Sequence, residues 1–234
     1  MKLIFIDIDN TLLDFDAYVK QTLEKGFERF NLIKYTPEVY TTFTHENNKL
    51  WHRIEDGSLT FQELEKIRFN IIFKALGITF DGPVFEKYFR SQLYDCAIPV
   101  EGSLELLRRL SKDYILAAAS NGPYDQQLHR LDISGMKEFF PYIFISEKAG
   151  ASKPDKAFFD YAFDVINQNA DSSIDPAECL IIGDSLTSDM EGGRRYGMKT
   201  CFYMRKPMDL SDHKLDAIVT SLDEISADLI ENLW

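Results

Sequence analysis

Two aspartates stand two residues apart, Asp7 and Asp9, where a short apolar run, Leu3-Ile4-Phe5-Ile6, gives way to Asn10 and Thr11. Like charges so close resist joint ionisation, so one carboxyl is pushed to hold its proton or a cation sits between the two. Side chains alternate along an extended chain, which predicts that both acids project from one side at the carboxyl end of a strand. Asp and Asn are also common where a strand exits into a turn, and the stretch read alone fits both readings.

A second apolar run, Cys179 to Ile182, leads into Gly183 and Asp184, with Asp189 five residues on. Gly183 allows a tight turn, so that Asp189 can face back toward Asp184. Two strands that each deliver acid to one sheet edge are hard to explain by packing. Asp7, Asp9, Asp184 and Asp189 converging on one crevice call for a divalent cation, and an all-oxygen site with room for water suits magnesium. Two further pieces are weaker alone. Ser120-Asn121-Gly122 offers a hydroxyl and backbone N–H groups to an anion, or simply an N-cap to the next helix. Lys153, in Gly150-Ala151-Ser152-Lys153-Pro154-Asp155, is a loop cation that fits a solvated surface equally well.

These residues need strands to present them. Leu3 to Ile6 reads as a strand buried on both faces of a parallel sheet. Helical spacing then runs from Phe15 through Val19, Leu23, Phe27 and Phe30, and helices are predicted over Pro37 to Arg53, Thr60 to Leu76 and Gly82 to Tyr94. Asp56-Gly57-Ser58 and the Thr60-x-x-Glu63 capping box separate two of them. Cys96 to Gly102 forms a return hinge. Beyond it, α and β segments alternate: helix Ser103 to Leu110, strand Tyr114 to Ala119, helix Tyr124 to Leu131, strand Tyr142 to Ile145, helix Asp155 to Val165, strand Cys179 to Ile182, helix from about Thr187 to Tyr196, strands Thr200 to Tyr203 and Ala217 to Val219, and a helix from Leu222. The expected fold is α/β, a doubly wound parallel sheet with right-handed crossovers and an all-helical insertion after its first strand. The domains are expected at 1–14 with 98–234 for the core and 15–97 for the insertion.

The 234 residues can bury a full core, and 45% hydrophobic with 27% charged residues is ordinary for a globular chain. A net charge of −12 argues against a nucleic acid polymer or an anionic membrane as partner. The three cysteines, Cys96, Cys179 and Cys201, are far apart and odd in number, which predicts free thiols and a reducing, cytoplasmic location. No signal-like segment precedes the first strand. His45 and His52 share a helix face without a metal-site pattern and are read as solvated or substrate-facing. Glu191-Gly192-Gly193-Arg194-Arg195-Tyr196-Gly197 superficially suggests a phosphate loop, but its glycines are read as close-packing and C-terminal capping positions.

Four motifs in this order, on these elements, resemble the haloacid dehalogenase-like hydrolase superfamily: Asp7-Ile8-Asp9-Asn10-Thr11, the strand ending at Ser120, Lys153-Pro154, and Gly183 to Asp189. The helical insertion directly after the first motif agrees. The resemblance implies a Rossmann-like core and a helical cap. It implies that Asp7 is the nucleophile on phosphorus, forming an aspartyl-phosphate, and that Asp9 protonates the leaving oxygen and then deprotonates water. Ser120 and Asn121 would bind phosphoryl oxygens with Gly122, Asn10 and Thr11 beside them, and Lys153 would offset charge on Asp7 and the phosphoryl group. Asp7, the Asp9 carbonyl and Asp184 would hold magnesium, with Asp189 in support.

The implied substrate is a small phosphorylated metabolite. Asp9 sets the chain apart from the dehalogenases of the superfamily, because a halide leaves without a proton. Asn47 to Gly57 with Arg68-Phe69 looks like the branch of bacterial pyrimidine 5′-nucleotidases, in which the cap residues Asn47, Lys49, Trp51 and Arg68 would meet the leaving group. Trp51 and Phe69 fit the cap's own core as well. Alternatives are a phosphatase of sugar or acylneuraminate phosphates, a phosphomutase, or a phospho-acceptor signalling domain. A monomer or weak homodimer is expected.

Overall fold

The computed structural model describes residues 2–169 and 173–234. Met1, the first residue of the opening stretch, lies outside the described residues. The chain divides into two compact units, one formed by Met1–Asp14 with Ala97–Trp234 and the other by Phe15–Cys96.

The first unit is built on six parallel strands: β1 (Leu3–Ile6), β2 (Ile115–Ser120), β3 (Tyr142–Ile145), β4 (Cys179–Gly183), β5 (Lys199–Tyr203) and β6 (Ala217–Val219). Their spatial order is β3-β2-β1-β4-β5-β6, so β1 lies between β2 and β4. The winding direction reverses between β1 and β4, and the crevice outside the carboxyl ends of such a pair is where doubly wound sheets bind ligands. Ile6 pairs with Ala118 on one side and Ile182 on the other, which brings Asp7, Ala119 and Gly183 to one level.

Alternation sorts the strand residues onto two faces. Ile4, Ile6, Leu116, Ala118, Leu180 and Ile182 pack with Leu106, Leu107 and Leu110, with Leu131, and with the C-terminal Leu222, Ile225 and Ile230. Leu3, Phe5, Ala117, Ala119, Cys179 and Ile181 pack with Phe158, Phe159, Ala162, Phe163 and Ile166. Being covered on both faces, β1, β2 and β4 need continuous apolar runs, which the sequence supplies.

The second unit holds four helices: α1 (Phe15–Arg29), α2 (Pro37–Glu55), α3 (Phe61–Ala75) and α4 (Gly82–Tyr94). Thr60 and Glu63 form the reciprocal capping box at the start of α3. Its interior is unusually aromatic, with the Phe69 and Phe85 rings 4.6 Å apart and Phe69 and Phe89 5.2 Å apart. The helices of the first unit are α5 (Ser103–Leu110), α6 (Tyr124–Ile133), α7 (Ser146–Ala149), α8 (Lys156–Asn169), α9 (Glu191–Tyr196) and α10 (Ala227–Glu231).

Sequence reading misses the four-residue α7, and it expects one continuous helix from about Thr187 where a π-helical turn, Leu186–Met190, precedes α9. The expected helix from Leu222 is a 3-10 turn followed by α10. No helix among the described residues is long and apolar enough to cross a membrane.

Candidate active site

Asp7 follows β1 with the parity of Leu3 and Phe5, and it emerges on the side where Lys153 arrives just before α8. Lys153 is buried, and its ammonium donates to Asp7 Oδ1 at 2.8 Å, Asp189 Oδ1 at 2.6 Å and the Ala119 carbonyl at 2.6 Å. An ammonium has three protons, and these partners use all of them. With its protons so engaged, what Lys153 offers the crevice is its charge. Burial by itself would push this amine down, but Asp189 and Asp7 beside it more than compensate and hold it above its ordinary range.

One oxygen from each of Asp7, Asp184 and Asp189 lies within 4.8 Å of the other two. Burial raises Asp7 to about 7; Lys153 opposes the shift, while the charges of Asp189 and Asp9 add to it. Asp184 is raised as well, first by burial and then by Asp7 and Asp189. Three carboxylates against one ammonium leave an excess of two negative charges when all are ionised, and this repulsion adds to burial in raising Asp7 and Asp184. An all-oxygen donor set with that excess fits a divalent cation such as magnesium. Asp189 already accepts from Lys153 through Oδ1 and from the Ser185 N–H through Oδ2 at 3.2 Å. That suits support of the cation site more than a leading part in it.

The sequence suggests a tight backbone turn at Gly183. Its φ is not in the left-handed region, and space is the physical reason for the glycine: a Cβ would stand 2.2 Å from Asp189 Oδ2. Gly192 and Gly193 are close-packing positions, where a Cβ would meet Phe159 at 2.8 Å and Ile181 at 2.3 Å, and Gly197 caps α9 at φ 88°.

Ser120 closes β2 on the other face, where α6 packs. Its hydroxyl oxygen accepts from the Gly122 N–H at 3.1 Å and from Gln127 Nε2 at 2.7 Å. Two lone pairs are thereby filled, which leaves the hydroxyl proton to donate to an incoming anion. The Asn121 side chain joins two loops, accepting from the Lys153 N–H at 2.8 Å and donating to the Lys153 carbonyl at 2.9 Å.

Asp9 parts from Asp7. The chain does not stay extended: Leu12 and Leu13 both donate to the Ile8 carbonyl, and Asn10 takes φ 62°. The Asp9 carboxylate meets Arg130 Nη1 at 2.6 Å through Oδ1 and Gln127 Nε2 at 2.8 Å through Oδ2. Arg130 Nη1 also donates to Gln127 Oε1 at 2.8 Å.

Several of the residues expected to contact a ligand have protein partners. Thr11 is buried and donates to Asp7 Oδ2 at 3.3 Å. The Gly122 N–H is turned onto Ser120. The Asn10 side chain accepts from Arg205, which also pairs with Asp14 at 2.9 Å. In the helical unit, Arg68 and Asn47 are buried core. Arg68 Nη2 and Nε donate to Glu86, the latter at 2.9 Å, and Nη1 to Asn47 Oδ1 at 3.1 Å. Trp51 packs on Phe61 at 5.9 Å beside Leu50 and Leu64, while Lys49 is exposed and pairs with Glu46 at 2.9 Å. His45 and His52 are exposed.

Gln127, Arg130 and Arg205 escape sequence reading. Gln127 and Arg130 are three apart on the helix that follows Ser120-Asn121-Gly122, so they share a face, and that spacing was the available signal.

A model of the haloacid dehalogenase-like hydrolase family matches residues 1–197. The HAD-hydrolase YfnB of Bacillus subtilis is 35% identical over 199 residues, 85% of this chain and 82% of the relative. Its crystal structure, described as bound to magnesium and revealing interdomain movement, superposes with a TM-score of 0.85 over 97% of this chain and 98% of that one. The pyrimidine 5′-nucleotidase PynA of Streptococcus pneumoniae is 33% identical over 91% of this chain and 86% of its own length. The pyrimidine 5′-nucleotidase YjjG of Escherichia coli is 30% identical over 85% and 84%.

Proposed function

The chain belongs to the haloacid dehalogenase-like hydrolase family, as a phosphatase, and we propose that it is a magnesium-dependent nucleoside 5′-monophosphate phosphatase that takes pyrimidine nucleotides first. The observation that carries the chemistry is the division of the two motif acids: Asp7 is set against Lys153 in the buried acidic cluster, and Asp9 is held apart by Arg130 and Gln127.

Asp7 attacks phosphorus in line, the bond to the ester oxygen breaks, and Asp9 delivers a proton to that oxygen. Asp9 then takes a proton from water as the water oxygen attacks phosphorus, and the bond to Asp7 breaks to release phosphate. The Ser120 hydroxyl and the Asn121 backbone N–H donate to phosphoryl oxygens, and the Lys153 charge opposes the build-up of negative charge. Asp7, Asp184 and the Asp9 carbonyl would hold magnesium with Asp189 in support, and the ion would supply charge neutralisation at the phosphoryl group.

All phosphate monoesters share the group these residues contact, so discrimination must come from whatever meets the leaving group. The helical unit is assigned this role as a cap, and the interdomain movement of YfnB supports the assignment. Pyrimidine specificity is supported by PynA and YjjG.

The test is steady-state kinetics of purified protein on uridine and thymidine monophosphate, purine nucleotides, sugar phosphates and an aryl phosphate, with acid-quenched phosphoenzyme measured in parallel. Multiple turnover with uridine or thymidine monophosphate ranked first is expected, with no phosphoenzyme in Asp7→Asn. A sugar phosphate ranked first overturns the nucleotidase assignment. A single phosphorylation without turnover overturns the phosphatase mechanism.

A further inference from the structure

Arg130 is 1% exposed and Gln127 fully buried, yet neither belongs to the four motifs. A buried guanidinium is costly unless an anion and acceptors satisfy it. Arg130 is satisfied by Asp9 Oδ1 at 2.6 Å and Gln127 Oε1 at 2.8 Å. Gln127 is satisfied in turn: its two amide protons go to Asp9 Oδ2 at 2.8 Å and Ser120 Oγ at 2.7 Å, and its carbonyl accepts from Arg130. The same amide therefore touches the acid and the phosphoryl-binding serine. At Gly122 a Cβ would stand 2.7 Å from Gln127 Nε2, so the loop is shaped around this side chain.

Three features set the arrangement apart from ordinary core polarity. Both Asp9 oxygens are gripped, each by a different residue, which fixes the carboxylate's rotation as well as its place. The gripping groups stand on one face of α6, a rigid element. Asp9 itself lies within a chain reversal at Ile8 to Leu13 and has no strand of its own to orient it.

We infer that Gln127 and Arg130 are positioning residues that hold the Asp9 carboxyl in register with Ser120, and so with the ester oxygen of a phosphoryl group bound there. The inference rests on the reading of Asp9 as the acid and base. An acid delivers a proton only from a fixed place, and displacement by about an ångström costs on the order of a hundredfold in rate. Loss of the grip should fall on turnover, leaving KM for the phosphoryl group nearly unchanged. It should also fall hardest on substrates whose leaving oxygen needs the proton.

The experiment compares Arg130→Met, Arg130→Lys, Gln127→Met and Asp9→Asn, alone and combined, on an alkyl phosphate and on an activated aryl phosphate, with single-turnover phosphorylation rates. Arg130→Met and Gln127→Met should lose on the order of ten- to a hundredfold in the alkyl phosphorylation rate and several-fold less with the aryl ester. Arg130→Lys, which keeps one cationic donor, should recover part of the loss. In the Asp9→Asn background either second change should add little, because both act through Asp9. Equal losses on both esters, or full additivity with Asp9→Asn, would overturn the inference and leave a purely structural role. If Asp9→Asn itself shows no leaving-group dependence, it is the acid–base reading of Asp9 that fails. Should Arg130→Met not fold, as judged by thermal unfolding, Gln127→Met carries the same comparison without stranding a charge.

Discussion

Lys153 and Asp189 form an ion pair at 2.6 Å that solvent barely reaches, each side chain being 1% exposed. Lys153 also pairs with Asp7, so one ammonium serves two carboxylates from different motifs. Removing one partner of a buried pair leaves an uncompensated charge, at a cost of about 3–5 kcal/mol. Lys153→Met should therefore lower stability by that order, measured by urea unfolding at pH 7 without metal, and should depress turnover. An unchanged unfolding midpoint would contradict the arrangement.

The metal-free protein should lose stability from its acidic cluster as pH rises. Asp7 is raised to about 7 in the fold, mainly by burial, from 3.8, so the folded state holds a proton that the unfolded chain has released. Its contribution is full below the unfolded value and is lost as pH climbs from about 4 through about 7; Asp184, also raised, acts in the same direction. In chelator, the melting temperature of Asp7→Asn should gain on that of the wild type across this window. Magnesium should close the gap by stabilising the wild type, since a ligand of the folded state adds its binding free energy. A constant difference from pH 4 to 8 would refute the assignment.

Gly183→Ala should disturb catalysis through Asp189. The added methyl would stand 2.2 Å from Asp189 Oδ2, forcing that carboxylate off Ser185 and Lys153. Overpacking of this kind costs about 1–3 kcal/mol, and activity should fall with it. Gly197→Ala is the control: its φ of 88° strains an alanine, but nothing lies within 4 Å of the new methyl. It should cost about 1 kcal/mol of stability and spare turnover. Similar activity in both variants would remove the argument from packing.

The strands of the core were legible because β1, β2 and β4 are buried on both faces and so read as unbroken apolar runs. Asp7, Ser120 and Asp184 were legible because each sits at a strand end, where a polar residue after such a run stands out; Lys153 lies in the loop before α8 and drew its meaning from the other three. Arg130 was not legible: it lies within a helix whose polar residues look like solvent-facing ones, and only the tertiary meeting with Asp9 reveals its burial. The protein partners of Thr11 and Gly122 were not legible, since the local turns that direct them onto Asp7 and Ser120 leave no mark in residue type. The burial of Arg68 was hidden for a related reason. A cation among aromatic residues suggests a ligand, yet its guanidinium lies 4.9 Å from the Phe89 ring and is matched by Glu86.

That last pair yields a prediction about specificity. Arg68 and Glu86 are 3% and 5% exposed, and Asn47 completes the guanidinium's bonds. Arg68→Met strands the glutamate and should destabilise the protein by about 3–5 kcal/mol, whereas Arg68→Met with Glu86→Met should regain most of it, because apolar replacement of a whole buried pair is often neutral. If the pair only braces α3 against α4, the ratio of kcat/KM for uridine monophosphate to that for an aryl phosphate should stay constant through both variants. Lys49→Ala, at an exposed lysine with only a surface partner, should leave stability within about 0.5 kcal/mol. A shift of the ratio in the double variant, with stability restored, would show that Arg68 reads the leaving group after all.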